Sequence, residues 1–250
     1  MINVDLYNGD CLEESLNIKN NSVDLILTDL PYGVLNERTK WDVIIPFEKM
    51  WKMIDRILKP NGVFITTAKQ PFTSQLIMSN IKDFRYTLVW EKSKSTGYLN
   101  SKRMPLVSHE DIVVFYKKLP PYNPQMTQGI PYDKGKAVRD TESYGKQTTA
   151  IHVKNDTGMR YPRSVQYFVT AESEGGFHPT QKPIKLFEWL IKTYTNENDV
   201  VCDITMGSGT TGVSAVNTNR NFIGIEKDKS YFKVSKNRIE NSQNNITKFL

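Results

Sequence analysis

Apolar residues along this chain form two kinds of pattern, and the two kinds alternate. One is a short continuous run, and the other is a stripe of residues at helical spacing. A run of four to eight mostly apolar residues between turn signals is typical of a buried strand. Such runs predict strands at VDLILTD (23–29), GVFITTA (62–68), RYTLVW (85–90), IVVFY (112–116), VVCDIT (200–205) and NFIGIE (221–226).

The stripes at helical spacing lie between these strands. In PFEKMWKMIDRIL, the apolar residues that recur at the spacing of one helix face are Phe47, Met50, Trp51, Ile54 and Leu58. Further helices are predicted from about Pro71, over PIKLFEWLIKTY with Pro183 at its first position, from about Thr210, and in a basic segment for which Asp228 is the N-cap. This alternation predicts an α/β protein, with a mainly parallel twisted sheet and helices on both faces.

Residues 119–176 interrupt the alternation. The stretch opens with LPPYNPQ, is rich in Pro, Gly, Thr and Tyr, and lacks helical periodicity. We therefore predict an inserted lobe at 119–176, flanked by two parts of one domain at 1–118 and 177–250.

The composition is that of a globular protein with a moderate excess of positive charge. The 250 residues include 33 Lys and Arg against 27 Asp and Glu, and the net charge of +6 suits a polyanionic partner without identifying one. Cys11 and Cys202 form no C-x-x-C pattern, which argues against a disulfide framework or a zinc ribbon. No apolar run has the length of a membrane span, so we expect a cytoplasmic protein with no membrane partner.

A glycine-rich turn with G-x-G-x-x-G spacing occupies residues 207–212. It lies between a predicted strand and a predicted helix, and Glu226 ends the strand that follows. This order is typical of a nucleotide-like cofactor site, in which the acid accepts hydrogen bonds from a ribose.

Three cofactors compete for this turn. A phosphate-binding Walker loop would need a lysine where Val213 stands, and the pyrophosphate of a dinucleotide would meet the negative charge of Asp203. S-adenosylmethionine has no phosphate, and its ammonium and sulfonium groups are cationic. The residues therefore favour S-adenosylmethionine over NAD.

Three motifs together resemble those of the β-class DNA amino-methyltransferases, which act on adenine N6 or cytosine N4. TDLPYG at 28–33 resembles the family's D/S-P-P-Y/F catalytic motif, and DITMGSGTT at 203–211 resembles its D-P-F-x-G-S-G-T-T cofactor motif. FHPTQKP at 177–183 matches the motif that adjoins the methionine end of the cofactor. The order of the motifs is that of the β class, and the resemblance spans nearly the whole chain.

The resemblance implies a fold and a role for each segment of the chain. The fold is the Rossmann-like fold of S-adenosylmethionine-dependent methyltransferases. Residues 1–118 would be the catalytic part, 119–176 the target-recognition lobe and 177–250 the cofactor-binding part of the same domain.

Carried over position by position, the resemblance implies a cofactor site. Thr180 and Lys182 would lie near the methionyl carboxylate, Glu226 at the ribose and Asp10 near the adenine ring. Two departures from the family pattern are Leu30, in place of the first proline, and Ile204-Thr205, in place of Pro-Phe. The full predicted cofactor set is Asp10, Cys11, Asp29, Thr180, Lys182, Asp203, Met206, Gly207, Ser208, Gly209, Thr210, Thr211 and Glu226.

TDLPYG would supply the catalytic tetrad Asp29, Leu30, Pro31 and Tyr32. An exocyclic amine is a poor nucleophile because its lone pair is delocalised into the ring. Asp29 and the Leu30 carbonyl could accept its two hydrogens and free the lone pair, with Pro31 fixing the backbone. The base must be flipped out of the duplex, and Tyr32 would offer a stacking face.

Other chemistries on DNA lack their residues. Neither cysteine follows a proline, as C5-cytosine methylation requires, and the H-x-E and P-C-x-x-C motifs of zinc deaminases are absent. His109-Glu110 reaches Val113 where a metalloprotease helix has its second histidine, so no metal site is predicted.

The predicted activity is site-specific adenine-N6 methylation of double-stranded DNA. Aspartate at position 29 favours adenine, because the family's cytosine-N4 members more often carry serine there. Cytosine-N4 methylation, a catalytically weak DNA- or cofactor-binding relative, and an NAD-dependent oxidoreductase stay open as alternatives. A second copy of the chain and a cognate restriction endonuclease, as in restriction-modification, are candidate partners.

Basic residues in two segments are the candidate DNA contacts. One segment is the loop at 91–105 and the other is the inserted lobe. The predicted residues are Lys92, Lys94, Lys102, Arg103, Lys136, Arg139, Arg160 and Arg163.

Overall fold

The computed structural model describes residues 2–33, 42–137, 140–141, 145–146, 151–177 and 181–247, and we number the elements within them in chain order. The strands are β1 (Val4–Asn8), β2 (Val23–Asp29), β3 (Leu58–Ala68), β4 (Phe84–Thr96), β5 (Val107–Phe115), β6 (Thr127–Gln128), β7 (Tyr132–Ala137), β8 (Asp140–Thr141), β9 (Gly145–Lys146), β10 (Ile151–Asn155), β11 (Met159–Arg160), β12 (Val165–Phe168), β13 (Val200–Asp203) and β14 (Asn221–Glu226). The helices are α1 (Cys11–Glu14), α2 (Phe47–Ile57), α3 (Phe72–Ser79), α4 (Ile184–Tyr194), α5 (Thr210–Asn217) and α6 (Lys229–Thr247). Short 3₁₀ helices occupy Ser15–Asn17, Tyr98–Asn100 and Ala171–Glu174.

One large sheet organises the molecule, in the order β1-β14-β13-β2-β3-β5-β4-β12. Its neighbouring strands run parallel except at β5, which is antiparallel to both β3 and β4. The predicted α/β class and the mainly parallel sheet are therefore confirmed. Because β13 and β2 are adjacent and parallel, their carboxyl ends lie side by side at one edge of the sheet.

Helices cover both faces of the sheet, and each covering layer has its own apolar core. Strand β2 illustrates the division, since Leu25 and Leu27 pack on the side that also contains α4 residues such as Phe187. Ile26 packs on the opposite side, with α2 residues such as Ile54. Strands buried on both faces explain why the sequence shows continuous apolar runs there. Among the described residues, no helix combines the length and apolar character that a membrane crossing demands.

The chain divides into two compact units, a smaller one at Pro124–Arg163 and a larger one formed by the flanking chain. It contains the short antiparallel pairs β6–β11, β7–β10 and β8–β9. The unit is narrower than the predicted 119–176 lobe, because β12 at 165–168 joins the large sheet beside β4.

The polar segment 91–105 is only partly a loop. Strand β4 continues to Thr96, well beyond the predicted end at residue 90, because Glu91 pairs with His109 and Thr96 with Val107. Main-chain pairing with β5 thus outweighs the polar local sequence.

Candidate active site

Asp29, at the carboxyl end of β2, accepts hydrogen bonds on both of its carboxylate oxygens. Oδ1 receives the Tyr32 hydroxyl at 2.7 Å and the Thr67 hydroxyl at 2.5 Å. Oδ2 receives the Lys182 ammonium at 2.5 Å. The predicted catalytic carboxylate is therefore fixed by groups from three separate segments of the chain.

Lys182 belongs to a buried network of alternating charges. Its side chain is 6% exposed, and its ammonium lies 3.6 Å from Glu110 Oε2 as well as against Asp29. The other Glu110 oxygen pairs with Lys92. Burial opposes the charge on Lys182, but Asp29 and Glu110 outweigh it and raise the pKa of Lys182 above its ordinary value. Glu110 Oε2 is buried and accepts no hydrogen bond within the described part of the chain.

The rest of the predicted tetrad lies around Asp29. The Tyr32 ring stacks on Phe72 at a centroid distance of 5.3 Å, and burial together with Asp29 raises the pKa of its hydroxyl well above the ordinary range. Leu30 is buried in the core on the α2 side, so this departure from the family pattern serves as an apolar anchor for the strand end. Pro31 lines a cavity that also contains Asp29.

The glycine turn between β13 and α5 has the backbone that its sequence predicts. Gly207 and Gly209 have φ values of +50° and +82°, a region in which glycine avoids the strain of a side chain. At Gly212 an added Cβ would lie 2.4 Å from Ile239, so the third glycine allows α6 to pack against α5. Glu226 accepts the Gly207 N–H at 2.7 Å and thereby ties the turn to β14.

Asp203, at the carboxyl end of β13, is buried among neutral donors. Hydroxyls of Thr28 and Thr211 and the N–H of Thr205 all donate to its carboxylate. Burial raises the pKa of Asp203 to about 6 in spite of these bonds, with a further contribution from the nearby charge of Asp29.

Thr205, the second departure from the family pattern, connects the two strand ends. Its hydroxyl donates to the Asp29 main-chain carbonyl at 3.1 Å, and the hydroxyl oxygen lies 2.6 Å from that of Thr28. A phenylalanine at this position could make neither contact.

A cavity of about 610 Å³ lies over both strand ends. It is large enough for a nucleoside-sized ligand. The predicted cofactor residues that line it are Asp10, Cys11, Asp29, Lys182, Asp203, Met206, Gly207, Ser208, Thr210, Thr211 and Glu226. Gly209 shapes the turn without lining the cavity, and Thr180 lies outside the described residues.

The lining of the cavity fits S-adenosylmethionine. The Thr210 hydroxyl is buried and has no hydrogen-bond partner within the described ranges, which leaves it available to a polar ligand atom. Carboxylates from Asp10, Asp203 and Glu226 face the same space, and such a set suits a ligand that carries cationic groups and ribose hydroxyls.

The predicted DNA contacts fall into different environments. Lys92 departs from the expectation, because its side chain is 10% exposed and its ammonium pairs with Glu110. Lys94 pairs with Glu172, and Arg160 packs over the Tyr132 ring while donating to main-chain carbonyls. Exposed side chains remain at Lys102, Arg103, Lys136 and Arg163, whereas Arg139 lies outside the described residues.

Two members of the buried network, Glu110 and Thr67, are absent from the sequence predictions. Neither belongs to a recognisable motif. They reach Asp29 and Lys182 because β3 and β5 follow β2 across the sheet, and the antiparallel insertion of β5 is not visible in the apolar pattern.

Comparison with known proteins identifies the family. A family model described as DNA methylase, of the N6/N4 methyltransferases, matches residues 23–237. The chain belongs to this family, whose members use S-adenosylmethionine.

Two relatives and two solved structures are similar over most of their length. The Type II methyltransferase M2.DpnII of Streptococcus pneumoniae is 28% identical over 94% of this chain and 89% of its own. The DNA adenine methyltransferase YhdJ of Escherichia coli K12 is also 28% identical, over 94% and 82%. The M1.HpyAVI–SAM complex has a TM-score of 0.65 at 25% identity, covering 94% of this chain and 98% of that one. The cytosine-N4-specific PvuII methyltransferase has a TM-score of 0.68 at 19% identity, covering 98% and 92%, which supports the fold.

Proposed function

We propose that the protein is a site-specific DNA adenine-N6 methyltransferase that acts on duplex DNA in the cytoplasm. The observation that carries the proposal is the position of Asp29, which lines the same cavity as the glycine turn and Glu226. The acceptor for an amine and the site for S-adenosylmethionine thus share one space. The cofactor supplies an activated methyl group, and the chain's own residues prepare the amine.

Asp29 would accept one hydrogen of the exocyclic amine and the Leu30 carbonyl the other. Buried leucine at position 30 holds this carbonyl in place by packing, whereas the family's proline would do so through its ring. Tyr32 provides an aromatic face beside the carboxylate. Positioning and electrostatics of this kind lower the barrier without a covalent step.

Asp29 Oδ2 accepts one hydrogen bond, from the Lys182 ammonium, and its second lone pair can accept an amine hydrogen. Glu110 Oε2 lies 3.6 Å from the same ammonium and is free of hydrogen bonds within the described residues. A small shift of the ammonium towards Glu110 would also free the lone pair that Lys182 occupies, while keeping the lysine charge compensated. The network thereby provides the lysine with two alternative partners.

The choice of adenine is supported by Asp29 and by the similarity to YhdJ, which is named as an adenine methyltransferase. Cytosine-N4 methylation is the second candidate, because the PvuII enzyme of that specificity shares the fold over nearly the whole chain. We assign target recognition to the unit Pro124–Arg163 and its exposed basic residues. The similarity to Type II methyltransferases makes a cognate restriction endonuclease a partner to test. A second copy of the chain is the other candidate partner.

The test is to identify the methylated base. The purified protein is incubated with tritium-labelled S-adenosylmethionine and bacterial DNA, which is then hydrolysed to nucleosides and separated. We expect label in N6-methyl-2′-deoxyadenosine. Label in N4-methyl-2′-deoxycytidine would make cytosine N4, and not adenine N6, the target of the enzyme. Calorimetric binding of the cofactor without any labelled base would instead indicate a catalytically weak relative.

A further inference from the structure

Residues 93–106, which we call the β4–β5 arm, form an exposed extension with large apolar side chains at its tip. Every residue of the arm is solvent-exposed. Tyr98 is 80% and Leu99 96% exposed, and they are followed by Met104 and Leu106 on the same arm. Apolar side chains concentrated in this way mark an interaction surface.

The arm begins at the candidate active site. Asp29 pairs with Thr67 across β2 and β3, and Ala68 pairs with Asp111 on β5. From Asp111 the β4–β5 ladder continues to the pair Thr96 and Val107, so the arm extends past the edge at which the cavity opens.

The base of the arm is part of the buried charge network. Lys92 precedes the arm and Glu110 follows it, and these two residues pair with each other. Glu110 in turn faces Lys182, which contacts Asp29. Three consecutive ion pairs therefore connect Lys92, at the base of the arm, with the proposed catalytic carboxylate.

The positive charge of the arm indicates which kind of partner it binds. It carries Lys94, Lys102 and Arg103 and no acidic residue. Lys94 pairs with Glu172, while Lys102 and Arg103 form no ion pair with any described residue. A tip that combines apolar wedges with cations matches DNA, in which stacked bases lie between two rows of phosphates. A second copy of this chain, with a net charge of +6, matches the arm less well.

We propose that the β4–β5 arm enters the duplex beside the target base, where Tyr98 and Leu99 occupy the space that the flipped base vacates. Lys102 and Arg103 contact the flanking phosphates. This inference rests on the proposed function, because it assigns a flipping role at the same site. Apolar side chains inserted between base steps compensate for lost stacking and keep the opened duplex from closing.

The test compares matched and pre-opened DNA. The double variant Tyr98→Ser/Leu99→Ser is assayed on a duplex with the recognition sequence, identified beforehand by sequencing modified DNA from an expressing host. A second duplex carries a mismatch opposite the target. We expect kcat/KM on the matched duplex to fall about tenfold or more, and on the mismatched duplex to stay within about threefold of wild type, because an unpaired base costs less to flip.

A matched control removes exposed apolar side chains elsewhere. Leu16 and Met78 are 74% and 71% exposed, and Leu16→Ser/Met78→Ser should methylate both duplexes like wild type. A readout that needs no turnover uses 2-aminopurine at the target position, whose fluorescence on binding should rise for wild type and control but not for the arm variant.

Equal loss on both duplexes, or no loss on either, would overturn the role of the arm. So would a change from dimer to monomer in the arm variant with normal 2-aminopurine fluorescence, which would make the arm a contact between copies. A wild-type protein that gives the fluorescence rise without methylation would contradict the proposed function and leave the arm supported.

Discussion

Asp29 and Asp203 lie at the ends of the neighbouring parallel strands β2 and β13. Their negative charges are compensated in different ways. Both line one cavity, where Asp203 is buried and the Asp29 side chain is 24% exposed. Asp29 has a lysine ammonium at 2.5 Å, and Glu110 beyond it forms part of a larger network. Asp203 is surrounded by hydroxyls and one N–H, with no cation.

The difference shows what each carboxylate is prepared for. Neutral donors do not offset burial at Asp203, and a pKa raised from 3.8 to about 6 corresponds to about 3 kcal/mol of unfavourable charge. A cationic ligand group in the cavity would remove that cost. Asp29 already has its cation, and Lys182 has a second carboxylate within reach at Glu110. We infer that Asp203 gains a charge partner when S-adenosylmethionine binds, whereas Asp29 has its cationic partner before any ligand is bound.

Removal of the Asp29 charge should give the largest effect. In Asp29→Asn we expect kcat to fall about a thousandfold, because the amine loses its negatively charged acceptor, and the dissociation constant of the cofactor to change less than about threefold. Single-turnover methylation and calorimetry measure the two quantities. A large loss of cofactor affinity would contradict the division of roles between the two aspartates.

The same strand supplies the control for this variant. Asp24 on β2 is also paired with a lysine, Lys59, at 2.8 Å, but it lies near the opposite end of the strand. Asp24→Asn should reduce thermal stability and leave kcat close to that of wild type. An equal loss of kcat in both variants would show that breaking an ion pair, rather than removing the acceptor, accounts for the Asp29 result.

The sequence predicts the positions of the two aspartates but not the groups that surround them. The apolar runs and glycine spacing predict both strands, both aspartates and the acid Glu226, because local sequence determines strands, turns and their order. They do not predict the Asp29–Lys182–Glu110 contacts, which depend on where β5 inserts between β3 and β4. They also do not predict the Thr205 bond to Asp29, because a hydroxyl that connects two strands carries no periodic signal.

Acidic pH should weaken cofactor binding through Asp203. The ligand-free carboxyl holds a proton below about pH 6, and a bound cation favours the ionised form, so binding expels that proton. Affinity is therefore retained above pH 6 and lost as pH falls through it, by about tenfold between pH 7 and pH 5. Calorimetry across this range should show the loss in wild type, and Asp203→Asn should bind more weakly at pH 7 with a flatter profile.

The control for the pH profile is a half-buried carboxyl at the other end of the same strand. Burial also raises the pKa of Asp199, which precedes β13 and is absent from the cavity lining. Asp199→Asn should keep the wild-type pH dependence of binding. Glu226 lines the cavity and has a pKa raised by burial, so Glu226→Gln shows how much of the profile it contributes. If Asp203→Asn kept the wild-type pH dependence of cofactor binding, that dependence would be due to a group other than Asp203.

The smallest effect is expected at Thr205, which connects the two strand ends. Thr205→Val removes the hydroxyl that donates to the Asp29 carbonyl but keeps the side-chain shape and the N–H that donates to Asp203. One hydrogen bond contributes about 1 kcal/mol, so we expect kcat/KM to fall about fivefold with cofactor affinity nearly unchanged. Thr205→Ser, which restores the hydroxyl, should recover most of the loss. If valine and serine behave alike, the hydroxyl does not hold Asp29 in position, and the hydrogen bonds to the Asp29 carboxylate together with the packing of Leu30 fix the end of β2.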